Sequence, residues 1–124
     1  MQMILFRTSI PTLNEHVNAN RINKFVAAKQ KRETEEALMT EIWQQKIKRI
    51  SSYPAGISYR IYAPDKRTDK MNRFATTAKF VEDALVKASV IRNDGWKDLT
   101  YPYPIVFEVD KEEPRVEVIL YENH

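Results

Sequence analysis

The chain has 124 residues, a net charge of +3 and no cysteine. A single domain of that size can build its own core, and disulfides and thiolate metal sites are excluded. No apolar run approaches the roughly 20 residues that span a bilayer, and the start, Met1 to Arg7, lacks the pattern of a secretion signal. A cytoplasmic protein with no membrane partner is therefore expected.

In chain order, Ile4 to Thr8 predicts a short first strand, closed by Pro11. Thr12 to Asn20 is polar and asparagine-rich and predicts an irregular loop. A long helix is predicted from somewhere between Asn20 and Ala27 to about Ile50, because Leu38, Ile42, Trp43, Ile47 and Ile50 recur at helical spacing. Ser51, Ser52, Pro54 and Gly56 break it. Ile57 to Tyr62 alternates apolar and polar residues and predicts a strand with one buried face. A charged loop, Pro64 to Asp69, leads into a second helix from about Met71 to Ala88. Its core stripe is Phe74, Ala78, Val81, Leu85 and Ala88. Asn93, Asp94 and Gly95 signal a turn. Ile105 to Val109 and Val116 to Tyr121 predict a closing hairpin. The expected fold is α+β: one domain over residues 1–124, with a sheet of about four strands and two helices on one face, in the order β-α-β-α-β-β.

Charge is polarised along this pattern. Arg21, Lys24, Lys29, Lys31 and Arg32 form a run without an acid, and Arg60 to Lys79 adds Lys66, Arg67, Lys70 and Arg73. The last stretch is acidic. A basic face for a polyanion is one reading; a solvated helix surface is the other. His16 and His124 have no metal-ligand spacing, no glycine-rich phosphate loop exists, and no serine sits in a nucleophile elbow. Any catalysis would fall to carboxylates. Asp69, just before the second helix, and Asp94, after the segment that follows it, would suit Mg²⁺ if the chain brought them together. Each also has an ordinary reading: Asp69 as a helix N-cap, Asp94 as a turn residue.

The stretches Pro64 to Asn72 and Ala78 to Asp94 resemble the core of the RusA family of Holliday junction resolvases, particularly its phage and prophage members. There a proline and acid precede basic residues, then come Asp-x-Asp-Asn, a lysine on the helix, Asp-Ala-Leu, and Asp-Asp or Asn-Asp. Pro11 to His16 resembles the family's opening loop, and Pro114 to Val118 its closing strand. The resemblance implies a homodimeric endodeoxyribonuclease. It would make paired nicks in four-way DNA junctions with Mg²⁺ or Mn²⁺ and no small-molecule cofactor. Asp69 matches the first metal-site aspartate, Asp94 the third, Asn72 the asparagine and Lys79 the catalytic lysine. Arg21, Lys24, Lys29, Lys31, Arg67, Lys70 and Arg73 would contact phosphates.

The second aspartate falls on Met71, whose thioether does not replace a carboxylate around Mg²⁺. Asp65 or Glu82 is a possible substitute ligand, and Met71 also reads as an extension of the helix's apolar stripe. A non-cleaving DNA-binding or regulatory protein on the same scaffold is therefore the alternative. Ser89 stands where the family usually has glycine.

Overall fold

The computed structural model describes residues 1–124. The elements are β1 (Gln2–Phe6), α1 (Leu13–Ile22), α2 (Lys24–Gln44), β2 (Ala55–Ala63), α3 (Lys70–Lys87), β3 (Leu99–Thr100), β4 (Val106–Val109) and β5 (Arg115–Tyr121). The α+β class holds, with five strands and three helices in place of about four and two. No helix is long and apolar enough to cross a membrane.

The added helix is α1, where a loop was expected. Thr12 and Glu15 form a reciprocal capping box at its start, which satisfies backbone donors that a helix end otherwise leaves open. Asn23 is extended and serves two helices. Its backbone N–H closes α1 on the Ala19 carbonyl, and its side chain accepts from the Phe25 N–H at 2.7 Å to open α2. The long helix expected to reach Ile50 stops at Gln44. Lys46 then takes a left-handed backbone, with φ 55°, so Ile47 and Ile50 leave the helical stripe. Ile50 is still buried, and its N–H donates to the Val90 carbonyl.

The sheet runs β1-β5-β2, with β3 and β4 both along the far edge of β2. β5 is antiparallel to β1 and β2, whereas β3 and β4 are parallel to β2. The predicted hairpin is thus wrong: β2 lies between β4 and β5. The parallel pairing follows from the α3 crossover, since a strand that returns through a helix re-enters in the same direction. Alternate residues of β1, β2 and β5 (Ile4 and Phe6; Ile57, Tyr59 and Ile61; Val116, Val118 and Leu120) face the helices and are buried with Leu38, Ile42, Phe80, Val81 and Leu85. Full burial of side chains of this size is worth about 1.5–3 kcal/mol each.

Two features fix how the layers sit. The ion pairs Lys31–Asp83 (3.2 Å) and Glu35–Lys87 (2.7 Å) advance together along both chains, so α2 and α3 run parallel. The open backbone of β1 is occupied by α2 side chains. Gln45 both donates to the Leu5 carbonyl and accepts from its N–H, at 2.8 Å each. Glu41 accepts from the Arg7 and Thr8 N–H groups and the Thr8 hydroxyl. The outer edge of β4 has no strand partner.

Both tryptophans lie outside this core. Trp96 is fully exposed, and Trp43 is largely exposed. His124 packs against the rings of Tyr103 and Tyr121, and its backbone N–H donates to the Pro54 carbonyl.

Candidate nucleic-acid and metal site

β2 ends at Ala63, and the next six residues turn the chain into α3. The Asp65 carboxylate accepts from the Arg67 N–H at 3.0 Å, which folds the loop back on itself. Asp69 then caps the helix, one of its oxygens accepting from the Asn72 N–H at 2.8 Å. The Asn72 side chain accepts from the Asn14 N–H at 3.0 Å and ties the start of α1 to the start of α3. These local bonds leave an open cleft lined by Asp65, Asp69, Met71 and Glu108 with Lys66, Lys70 and Arg73. Met71 does not extend the apolar stripe: it is 65% exposed and lines this open cleft.

Lys70 lies over the Phe107 ring at 5.6 Å, and neither it nor Arg73, Lys66, Arg21 or Lys24 forms an ion pair. Arg67 is 4.0 Å from Asp65 but 91% exposed, and Lys29 faces Glu33 at 3.8 Å across one helical turn. Such exposed pairs are worth little. Lys31 differs. It is held between Asp83 and Glu35, joins α2 to α3, and so belongs to the scaffold rather than to a free cationic surface. Because α2 and α3 are parallel, the start of α2, with Lys24, points toward the same end of the molecule as the start of α3, whereas Lys29, two residues before the Lys31–Asp83 pair, stands level with the middle of α3.

The three residues expected to carry catalysis do not gather in one chain. Lys79 lies ten residues beyond Asp69 on α3, about 15 Å of helix, and pairs with Asp83 at 3.4 Å. Asp94 lies in the loop past the other end of α3, where its charge is felt by Glu82, Tyr59 and Tyr101. Glu82 itself is 13 residues beyond Asp69, about 20 Å along the axis. The 18-residue length of α3 sets this separation, and the segment after it leads on to β3. No group of three or more His, Asp or Glu side chains converges to hold a metal ion. The oxygen donors of the cleft suit a hard divalent cation in kind, but in one chain their geometry does not fit the three-carboxylate centre that the family resemblance implies.

Glu82 cannot stand in for Met71. It is buried, and its two oxygens accept from the Tyr59 hydroxyl at 2.6 Å and the Tyr101 hydroxyl at 2.8 and 2.9 Å. Burial lifts its carboxyl above the ordinary range. The two hydroxyls pull it partly back, and Asp94 and Asp83 push it further up. Burial, and then the carboxylate beside them, raises both tyrosine hydroxyls as well. Asp65, the other proposed substitute, does share the cleft with Asp69. The Tyr59–Glu82–Tyr101 cluster carries no motif in the sequence, because it joins β2, α3 and the segment after β3, which only the fold brings together.

The chain matches no protein-family model and no curated protein by sequence.

Proposed function

We propose that the protein recognises four-way DNA junctions as a homodimer, in the manner suggested by its resemblance to the RusA family of Holliday junction resolvases, and that it is impaired in cleavage. The observation that carries this reading is the set of cationic side chains without carboxylate partners, Lys66, Lys70 and Arg73, around the start of α3, with Lys24 at the start of the parallel α2. Contacts of this kind bind phosphates by charge and shape, and do not read sequence. Met71 at the position of a metal-site aspartate, and the wide separation of Asp69, Asp94 and Lys79, support the impairment.

A second reading is an active Mg²⁺- or Mn²⁺-dependent resolvase. One observation favours it: Asp65, Asp69 and Glu108 share a cleft among the cations. In this reading a second copy of the chain must supply the distant carboxylate.

The test is a labelled four-way junction against linear duplex of the same sequence, over a salt series, with and without Mg²⁺ or Mn²⁺. Tighter binding to the junction, weakening steeply as salt rises, is expected, with little or no nicking. Equal affinity for both DNAs, or affinity insensitive to salt, refutes junction recognition. Symmetric nicks that vanish in both Asp69→Asn and Asp94→Asn would replace the first reading by the second.

A further inference from the structure

We propose that the protein seats a single phosphate group in a crevice between the start of α3, the β1–α1 connection and the start of β5, with Arg73 as its anchor. This deepens the junction-binding reading and, for a phosphate that belongs to DNA, rests on it.

Three arginines line the crevice, Arg7, Arg73 and Arg115, together with the hydroxyl-bearing Ser9 and Thr77. No aspartate or glutamate lines it. Two of the three arginines are committed elsewhere. Arg7 bonds Glu113 at 2.9 and 3.2 Å. Arg115 bonds Asp110 at 2.8 Å and Glu117 at 3.0 Å and stacks on Tyr62 with its guanidinium 3.8 Å from the ring centre. Arg73 has no carboxylate, and its Nε is shut off from solvent without a hydrogen-bond acceptor.

A buried, charged N–H without an acceptor is costly, and such groups in folded proteins call for a missing partner. The planar fork of arginine matches two oxygens of a phosphate. The Ser9 hydroxyl makes no hydrogen bond within the chain, so it is free to donate to the same anion. Arg73 and Ala63 also line the cleft that holds Asp69. The two hollows therefore share a wall, and a nucleic-acid backbone that places one phosphate on Arg73 runs its neighbour past Asp69. The shared chemistry is the phosphate oxyanion; its source is either a DNA backbone or free phosphate.

Arginine-selective ¹⁵N spectra of the full chain test this, with the Arg73 Nε–Hε signal assigned from Arg73→Lys. Sodium phosphate is titrated at constant ionic strength against chloride, and then the four-way junction. The Arg73 signal is expected to move downfield and saturate with both ligands, while those of Arg7 and Arg115, already paired, move less. Arg73→Gln should weaken junction binding about 10- to 100-fold. Ser9→Asp places a carboxylate in the crevice from an exposed loop position. It should abolish the phosphate response and weaken the junction while the protein stays folded, so the proposal survives an unfolded Arg73 variant. An Arg73 signal that ignores both ligands overturns the site. A junction that shifts in gels but leaves Arg73 unmoved overturns the site and leaves junction recognition standing. A response to phosphate but not to the junction supports the anion seat and removes DNA as its source.

Discussion

Met71→Asp restores a carboxylate where the family resemblance implies one, and its energetics are legible in the structure. Met71 is the second residue of α3 and is 65% exposed. Only about a third of its side chain is buried, worth about 0.5–1 kcal/mol from the usual burial scale. The first turn of α3 carries no acid, and an acid there gains about 0.3–1 kcal/mol from the helix dipole. The two terms offset, so the variant should fold within about 0.5 kcal/mol of the parent. Its effect should appear with a divalent cation. A weak carboxylate site with a dissociation constant on the order of 1 mM gains about 1.4 kcal/mol at ~10 mM Mn²⁺. For a chain of this length that raises Tm by about 5 °C. Thermal unfolding of parent and variant, with and without Mn²⁺, reads both quantities, and the same samples are scored for junction nicking. A loss of more than ~2 kcal/mol without metal would show Met71 to be a packed residue. An Mn²⁺ shift no larger in the variant than in the parent would show that this cleft is no cation site, whatever residue stands at 71.

Other expected outcomes follow from the scaffold. Ser89 has φ 61° immediately after α3, where its N–H and that of Val90 close the helix on the Val86 and Leu85 carbonyls. Ser89→Gly should stabilise the protein by about 0.5–1 kcal/mol, or ~2–4 °C in Tm, since glycine reaches this backbone without strain; no gain in urea unfolding would contradict it. Glu41→Ala strips the acceptor from two backbone N–H groups and a hydroxyl and should cost about 2–3 kcal/mol by the same measurement, whereas a loss below ~0.5 kcal/mol would mean that water replaces those bonds.

The buried Glu82 gives a pH signature. Its carboxyl is raised in the folded state, so folding favours the protonated form. That stabilisation is complete below the ordinary glutamate range and is lost as pH climbs through the raised value. Glu82→Gln should flatten this decline. Identical pH–stability curves for parent and variant, from mildly acidic to neutral pH, would refute the assignment.

The elements that could be read from sequence are those whose pattern is local. β2 alternates from Ile57 to Ile61, and α3 carries Phe74, Val81 and Leu85 at helical spacing, so both were legible to within a few residues. α1 was missed because its apolar positions are few. Yet the Thr12-to-Glu15 spacing is a capping signal that could have announced it. The hairpin expectation failed because a five-residue connection serves two geometries. Asp110 to Pro114 can turn directly between neighbours, but at ~3.3 Å per residue it also spans the ~10 Å across an intervening strand. The order β2–α3–β4 was the better clue, since a helical crossover calls for parallel strands. At the site, the capping role of Asp69 was readable from its position before the helix. Convergence with Asp94 was not, and the length of the apolar stripe on α3 already argued against it.

The occupied backbone of β1 limits how copies of this fold can associate. A second copy that joined by adding a strand would find one side of the sheet already taken by Gln45 and Glu41 and only the β4 side unclaimed. Two molecules meeting there would consume that side in both. Growth by this route would end at a closed pair, with no further strand left to template a chain of subunits.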